Sequence, residues 1–225
     1  MRTYRSTASL FERFAEAVAE LRSRIAITDD EYQAMVDAIR LRVFRVSGLQ
    51  QLRLVQHVLD SLARALERGE GLDVWRRQLG EDIRNAWGAG SAFRLETIFR
   101  TNIQTALNRG RYAQMTHPSV LRLRPYWMYD AVLDSHTSPI CRERDQVVKP
   151  ANDPYWQTGY PPLHHRCRGA VRTLRKRQAE RRGITDISAI QTAPGAGFGA
   201  PPTHSTFIPD LTNTEPGLRA IYEGS

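Results

Sequence analysis

The sequence predicts an α+β protein, with an N-terminal helical bundle, a small β-containing module with long loops and an extended C-terminal tail. Apolar residues recur every three or four positions through the first half of the chain, which is the spacing of amphipathic helices. A run rich in aromatic and β-branched residues follows and favours strands. Glycine and proline cluster near the C-terminus, where they disfavour helix and strand alike. We place the three regions at residues 1–118, 119–182 and 183–225.

The composition is that of a globular chain. Of the 225 residues, 41% are hydrophobic and 25% are charged, which fits a protein that buries a core. No segment approaches the ~18 consecutive apolar residues of a membrane helix, and no apolar run follows the basic N-terminus as it does in a secretory signal. Two cysteines are too few for a disulfide scaffold. We therefore expect neither a membrane protein nor a small secreted domain.

Five helices are predicted in the first region from apolar spacing and terminal signals. Thr28 and Glu31 form a capping box at the start of the second helix, Gly69 stops the third, and the fifth ends before Pro118. The helices are expected over residues 9–27, 28–48, 49–68, a short stretch ending at 87, and 92–115. Such a bundle buries its own apolar faces, so we expect no chemistry from it.

The sequence of the second region predicts a small β module. That of the third region predicts a tail without a fold of its own. Residues 124–133 predict a strand and 167–174 a returning strand, with a proline-rich loop between them and a short basic helix at 175–182 after them. The tail is too rich in glycine and proline to form a core alone. Its isolated apolar residues are expected to anchor residues 190–225 on a partner protein; they are Phe198, Phe207, Ile208, Leu211 and Tyr222.

The net charge of +8 is concentrated in the second region. Residues 120–182 carry 13 basic and 6 acidic side chains, whereas residues 183–225 carry 1 and 4. A one-sided basic block indicates contact with a polyanion. Arginine supplies 30 of the 32 basic residues, however, and such an excess can also reflect coding bias. The candidate DNA-binding residues are Arg166, Arg168, Arg172, Arg175, Lys176, Arg177, Arg181 and Arg182.

The sharpest local pattern combines both cysteines with three of the six histidines. Cys141, His164 and Cys167 supply ligands of the kind that zinc prefers, and His164 and Cys167 are close enough in sequence to converge from one turn. The fourth ligand is open: His136 is the first candidate, and His165 and Asp145 are others. The alternative is a loop held by histidine hydrogen bonds and buried thiols, without metal.

Catalytic interpretations of the same residues are incomplete, and no catalytic residue is predicted. Neighbouring arginines would lower the pKa of a nucleophilic cysteine, but neither an oxyanion loop nor a third orienting residue is recognisable. A ββα-metal nuclease would need an asparagine and a further histidine on the helix that follows His165, and residues 170–182 contain neither. A zinc deaminase would need His-x-Glu before Pro-Cys-x-x-Cys. Neither pattern is present.

Three segments, taken in order, resemble one known family. Residues 98–111 resemble its helix pattern I-x-R-T-E/N…N-x-G-R, and residues 162–168 resemble its turn P-L-H-P-N-C-R-C. The strand and loop pattern W…D-x-R-T-x-x-x-C is matched by Trp127, Asp134, Thr137 and Cys141. The family is that of the phage Mu F-like minor head (head morphogenesis) proteins of tailed phages and prophages. The resemblance covers roughly residues 92–174, under half of the chain.

The chain departs from the family pattern at four positions. His136 stands where the family tends to have arginine, and His165 and Arg166 replace Pro-Asn. Gly169 replaces the last cysteine of the turn, so a ligand available to relatives is absent here.

The resemblance implies a structural virion protein without enzyme activity. It implies a place inside the head near the portal vertex, after assembly in the host cytoplasm, with several copies per virion. The expected partners are the portal protein, the major capsid or scaffold protein and packaged double-stranded DNA. Two alternatives from other classes remain: a metal-dependent nucleic-acid enzyme that uses the Cys/His region, and a cytoplasmic nucleic-acid-binding regulator.

Overall fold

The computed structural model describes residues 15–26, 43–44, 52–79 and 91–202. In these ranges the chain forms eight helices and two small sheets, which confirms the predicted α+β class. The helices are α1 (Ala15–Arg22), α2 (Leu52–Arg68), α3 (Leu72–Gln78), α4 (Ser91–Thr116), α5 (Pro118–Leu123), α6 (Pro139–Arg142), α7 (Trp156–Gly159) and α8 (Lys176–Arg182). The strands are β1 (Ile25–Ala26), β2 (Val43–Phe44), β3 (Tyr126–Asp130), β4 (Val148–Pro150) and β5 (Ala170–Leu174).

The helical region packs α1, α2 and α3 against α4. The apolar stripe of α2 is buried as its spacing predicts, and Val55, Val58 and Leu62 have no exposed surface. Trp75 of α3 fills the space between α2 and α4, and its indole Nε1 donates a hydrogen bond to Ser61 Oγ at 2.9 Å. None of the helices in the described ranges is both long and apolar enough to cross a bilayer.

Glu20 of α1 ties two arginines together at the edge of this core. Its carboxylate accepts hydrogen bonds from Arg24, at 3.1 and 3.2 Å, and from Arg109 of α4. Arg24 in turn donates to Asn102 Oδ1 at 3.1 Å. Burial raises the pKa of Glu20, but the charges of Arg24 and Arg109 and their hydrogen bonds outweigh burial, so the pKa lies below its ordinary value. The ionised carboxylate therefore stabilises the packing of α1 on α4.

Two predicted helices are wrong where the structure describes them. The first was expected to continue to residue 27, but residues 25–26 form β1, which pairs in parallel with β2 at residues 43–44. The second was expected to include residues 43–44; most of its range lies outside the described residues. A short run of apolar residues fits a helix and a strand equally well, so periodicity alone does not distinguish the two structures.

The β module is a three-stranded antiparallel sheet in the order β4-β3-β5. The two predicted strands are confirmed as β3 and β5, paired from Tyr126 opposite Leu174 to Asp130 opposite Ala170. The edge strand β4 was not predicted, because three residues that end in Pro150 give little strand signal. One face of β3 carries Trp127 into an aromatic core, where it meets Trp156 and Tyr160 edge-on at ring distances of 5.6 and 6.1 Å.

Helix α4 joins the two cores. Its first half contributes Leu95 and Phe99 to the helical core, and its last turns contribute Met115 to the aromatic core. Between them Asn108, which has no exposed surface, donates from Nδ2 to the Gly169 carbonyl at 3.1 Å and accepts at its own backbone carbonyl from the Tyr160 hydroxyl at 2.8 Å. The position of the sheet on the helices therefore depends on polar contacts from one helix.

Residues 183–202 are extended, as expected, but they pack on their own module. The buried guanidinium of Arg144 donates to Thr192 Oγ1 and to the Thr192 carbonyl at 2.9 and 2.6 Å. Further along, the Gly195 and Gly199 amides donate to the Leu163 and Pro162 carbonyls at 2.8 and 3.0 Å. For residues 190–202 the expectation of ordering only along a partner is therefore wrong, because loop carbonyls of the same chain satisfy the backbone. Residues 203–225, including the other expected anchors, lie outside the described residues.

We predict that Glu20→Gln destabilises the helical region by about 3 kcal/mol at neutral pH, because it removes from a mostly buried site the carboxylate that Arg24 and Arg109 share. The folded-state pKa of Glu20 is lowered, so the stabilisation is present above the unfolded-chain value of about 4.3. It is lost as pH falls through the lower folded value. Urea unfolding at a series of pH values should show wild type and variant converging in acid.

The matched control is Glu67→Gln, which removes the partner of Arg22. Both of these side chains are more than half exposed, so the loss should stay below about 1 kcal/mol. Equal losses in the two variants would contradict the role of Glu20.

Candidate functional site

The two cysteines and one histidine converge on a single point beside β3. Cys141 comes from α6, and His164 and Cys167 come from the turn that leads into β5. The two sulfur atoms are 3.6 Å apart, and His164 Nε2 is 3.1 Å from Cys141 Sγ. The ligand atoms of all three residues lie within 4.8 Å of one another. We call these three residues the Cys/His cluster.

Local sequence signals explain how α6 presents Cys141. Ser138 caps the helix: its hydroxyl accepts from the Cys141 amide at 3.2 Å, and Pro139 occupies the first helical position. The same hydroxyl lies 2.7 Å from His164 Nε2. Ser138 is thus a site residue that the sequence reasoning missed, although a serine followed by proline is a recognisable helix start.

The turn that carries His164 and Cys167 depends on a left-handed residue. Arg166 has φ = 60°, its amide donates to Thr101 Oγ1 at 3.0 Å, and its side chain forms an ion pair with Glu96 at 2.7 Å. The family pattern has asparagine at this position, which adopts this conformation more readily than other residues with a Cβ. Contacts with α4 therefore hold Arg166 in the conformation that brings Cys167 back towards Cys141.

Hydrogen bonds stabilise a thiolate at Cys141 rather than at Cys167. The hydrogen bond from Cys167 lowers the pKa of Cys141 against the opposing effect of burial, and hydrogen bonds from His164, Tyr129 and Ser138 lower it further. The same bond to Cys141 and burial raise the pKa of Cys167. The bond to Cys141 also raises the pKa of His164.

His136, the first candidate for a fourth ligand, lies outside the Cys/His cluster. Residues 134–137 form a turn closed on Asp134, whose carboxylate accepts from the His136 amide at 2.8 Å and from Arg168 at 2.6 Å through both oxygens. This turn leaves His136 exposed at the rim of a small cavity beside Cys141.

The other two candidates for the fourth ligand are also engaged elsewhere. The His165 ring packs edge-on against Phe198 at 4.9 Å. Asp145 Oδ1 accepts from the Ala131 amide at 2.9 Å.

Tyr129 completes the surroundings of the two sulfurs and explains the glycine at 169. Its hydroxyl donates to Cys141 Sγ at 3.3 Å and lies 3.8 Å from Cys167 Sγ. A Cβ at position 169 would overlap this hydroxyl. The side chain that the family pattern has at 169 therefore has no room while Tyr129 is present. Sequence reasoning missed Tyr129 because it lies within a strand and carries no motif signal.

A basic groove opens beside the cluster. It has a volume of about 440 Å³, and the residues that line it include three arginines and three histidines against one acid; they are Glu96, Arg100, His136, His164, His165, Arg166 and Arg168. Arg100 and Arg166 both pair with Glu96 at 2.7 Å, which offsets part of the positive charge.

The candidate DNA-binding residues divide into two groups. Arg166, Arg168 and Arg172 form ion pairs with Glu96, Asp134 and Asp130, so their charge is already compensated. The other five lie on or next to α8 and are exposed; they are Arg175, Lys176, Arg177, Arg181 and Arg182. Arg182 donates to Gln146 Oε1 at 3.0 Å, whereas no acidic partner contacts the other four among the described residues.

The chain is similar in sequence to two named phage and prophage proteins. The chain is 31% identical over 201 residues to the putative capsid assembly protein F of Escherichia phage Mu, which covers 81% of this chain and 44% of that protein. It is 31% identical over 171 residues to the Mu-like prophage FluMu F protein of Haemophilus influenzae, and this match covers 70% of this chain and 41% of that protein. The chain thus spans less than half the length of these two relatives. No solved structure matches it at a significant level.

The family assignment follows from the extent of the match. The family model described as Phage Mu protein F like protein matches residues 56–172, which is more than half of the chain and includes α4, β3, β4, the start of β5 and the Cys/His cluster. The resemblance seen in the sequence motifs is thereby confirmed, and the chain belongs to the Phage Mu protein F like family.

Proposed function

We propose that this chain is a structural protein of head morphogenesis in a tailed phage or prophage. The observation that carries the proposal is the 31% identity over 201 residues to a protein named as a putative capsid assembly protein. The match covers 81% of the chain, so it involves the helical region as well as the β module.

We place the protein inside the head near the portal vertex, in several copies, with the portal protein and the major capsid or scaffold protein as its partners. Exposed apolar side chains around the β module would serve such contacts. Leu123 at the end of α5 is 69% exposed. Val132 and Leu133, two consecutive residues that follow β3, are each about half exposed. Apolar surface of this kind, surrounded by charge, is suited to association with other proteins.

The same proposal includes contact with packaged double-stranded DNA through α8. Arg175, Lys176, Arg177 and Arg181 project from one short helix and the residue before it, with no compensating acid in contact among the described residues. Side chains of this kind bind phosphates without reading sequence. The paired arginines Arg166, Arg168 and Arg172 would contribute less, because an ion pair must break for each phosphate gained.

Disruption of the gene in its own phage or prophage tests the proposal. We expect lysis and DNA replication to proceed normally while DNA-filled heads fall to a small fraction of the wild-type number by electron microscopy. A plasmid copy of the intact gene is the control and should restore them. Normal numbers of infectious particles, or a change in late transcription before any head forms, would contradict a structural role; the latter would favour a regulator.

We predict that Lys176→Gln/Arg177→Gln/Arg181→Gln weakens binding to duplex DNA and flattens its salt dependence. Each lost phosphate contact changes the slope of log affinity against log salt by about 0.9, so the slope should flatten by about 2 to 3. Fluorescence anisotropy with two unrelated duplexes at several salt concentrations measures both the slope and the absence of sequence preference.

The matched control for this variant is Arg53→Gln/Arg64→Gln/Arg77→Gln, which removes the same charge from exposed positions of the helical region. Its slope should stay near that of wild type. If both triple variants flatten the slope equally, α8 is not the DNA contact. Metal-dependent nicking of plasmid by the wild-type chain, abolished by His164→Ala, would support the enzymatic alternative instead.

A further inference from the structure

The Cys/His cluster has the dimensions of a zinc site. Zinc holds sulfur at about 2.3 Å and nitrogen at about 2.0 Å in tetrahedral geometry, so its ligand atoms lie about 3.5 to 3.8 Å from one another. The two sulfurs are 3.6 Å apart and His164 Nε2 is 3.1 Å from Cys141 Sγ, with all three within 4.8 Å. Small side-chain adjustments would suffice to bind an ion. Both sulfurs belong to free thiols, which leaves them available as ligands.

The orientation of His164 provides a second, independent observation. Its other ring nitrogen, Nδ1, lies 2.7 Å from the His165 carbonyl, which can only accept a hydrogen bond. Nδ1 therefore carries a proton, so Nε2 is the nitrogen that can give up its hydrogen bond to Cys141 and turn a lone pair to a metal ion. A backbone carbonyl that fixes the tautomer in this way is the usual outer partner of a histidine that ligates a metal.

The sulfur atoms also have the outer contacts that thiolate ligands require. The Gly169 amide donates to Cys167 Sγ at 3.4 Å, and the Tyr129 hydroxyl donates to Cys141 Sγ at 3.3 Å. Both donors are held in place: Gly169 by Asn108 and Gln104 of α4 through its carbonyl, and Tyr129 by the centre of the sheet. Such donors orient the ligands and stabilise their negative charge.

We propose that Cys141 Sγ, His164 Nε2 and Cys167 Sγ bind one zinc ion, with the fourth position open. The open side faces a cavity of about 20 Å³, lined by Thr137, Ser138 and His136 among others. A cavity of this size holds about one water molecule. The two thiolates balance the charge of the ion, so the site is neutral within a largely buried environment. Bound zinc would cross-link α6 to the turn before β5.

Metal analysis of the full chain tests the proposal. The chain is purified under reducing conditions from zinc-supplemented cells. We expect about one zinc per chain by inductively coupled plasma mass spectrometry. After removal of metal, Co²⁺ should restore about one equivalent with the strong visible absorption of tetrahedral cobalt and a thiolate charge-transfer band. Removal of metal should lower the melting temperature.

The ligand variants are Cys141→Ser, His164→Ala and Cys167→Ser, and each is expected to lose most of the bound zinc. His165→Ala is the matched control, because it removes a neighbouring histidine that lies outside the cluster, and it should keep the full amount. His136→Ala should also keep its zinc and an unchanged Co²⁺ spectrum; loss of metal would overturn the open fourth position and make His136 a ligand.

Two results on the wild-type chain would overturn the proposal without any variant. One is a reduced, folded chain that binds no stoichiometric Zn²⁺ or Co²⁺. The other is a chain that has lost two hydrogens by intact mass and holds a Cys141–Cys167 disulfide when purified without reductant from the cytoplasm. The first result would leave the cluster as a thiol contact held by hydrogen bonds, and the second would make it a disulfide.

Discussion

The hydrogen bonds from α4 to the Gly169 carbonyl determine how the two halves of this molecule fit together. Asn108 and Gln104 donate to the same oxygen, at 3.1 and 2.9 Å, from a helix whose first half is already fixed in the helical core. Gly169 immediately precedes β5, and its amide in turn donates to Cys167. A buried polar contact of this kind costs free energy when it is broken, since neither side can find water. The sheet, the turn before β5 and the Cys/His cluster therefore all depend on the position of one helix.

The charge of the chain is used in two different ways. Arginines near α4 and β3 are paired with carboxylates and determine local structure, as Arg166 does with Glu96 and Arg168 with Asp134. Those on α8 are exposed and leave a net positive surface. Counting charges along the sequence cannot separate these uses, because the carboxylate partners come from positions 34 to 70 residues away.

The elements that the sequence predicts well are those whose signal is local. The leucine spacing of α2 and the aromatic run of β3 are both long enough to identify their type, and the proximity of the cysteines and histidines follows from their clustering in sequence. What the sequence could not predict is set by distant partners. Strand β4 exists because β3 lies beside it, and Tyr129 reaches the sulfurs from the middle of a strand. His136 has a suitable chemistry for a ligand, but the turn closed on Asp134 keeps it at the rim.

The overlap between the Tyr129 hydroxyl and a Cβ at position 169 makes the residue types at these two positions depend on each other. A cysteine at 169, as in the family pattern, and a tyrosine at 129 cannot both fit without displacement of the sheet, and overpacking of this kind costs about 1 to 3 kcal/mol. A Gly169→Cys substitution that restores the last cysteine of the family pattern would therefore need a smaller residue at 129 beside it.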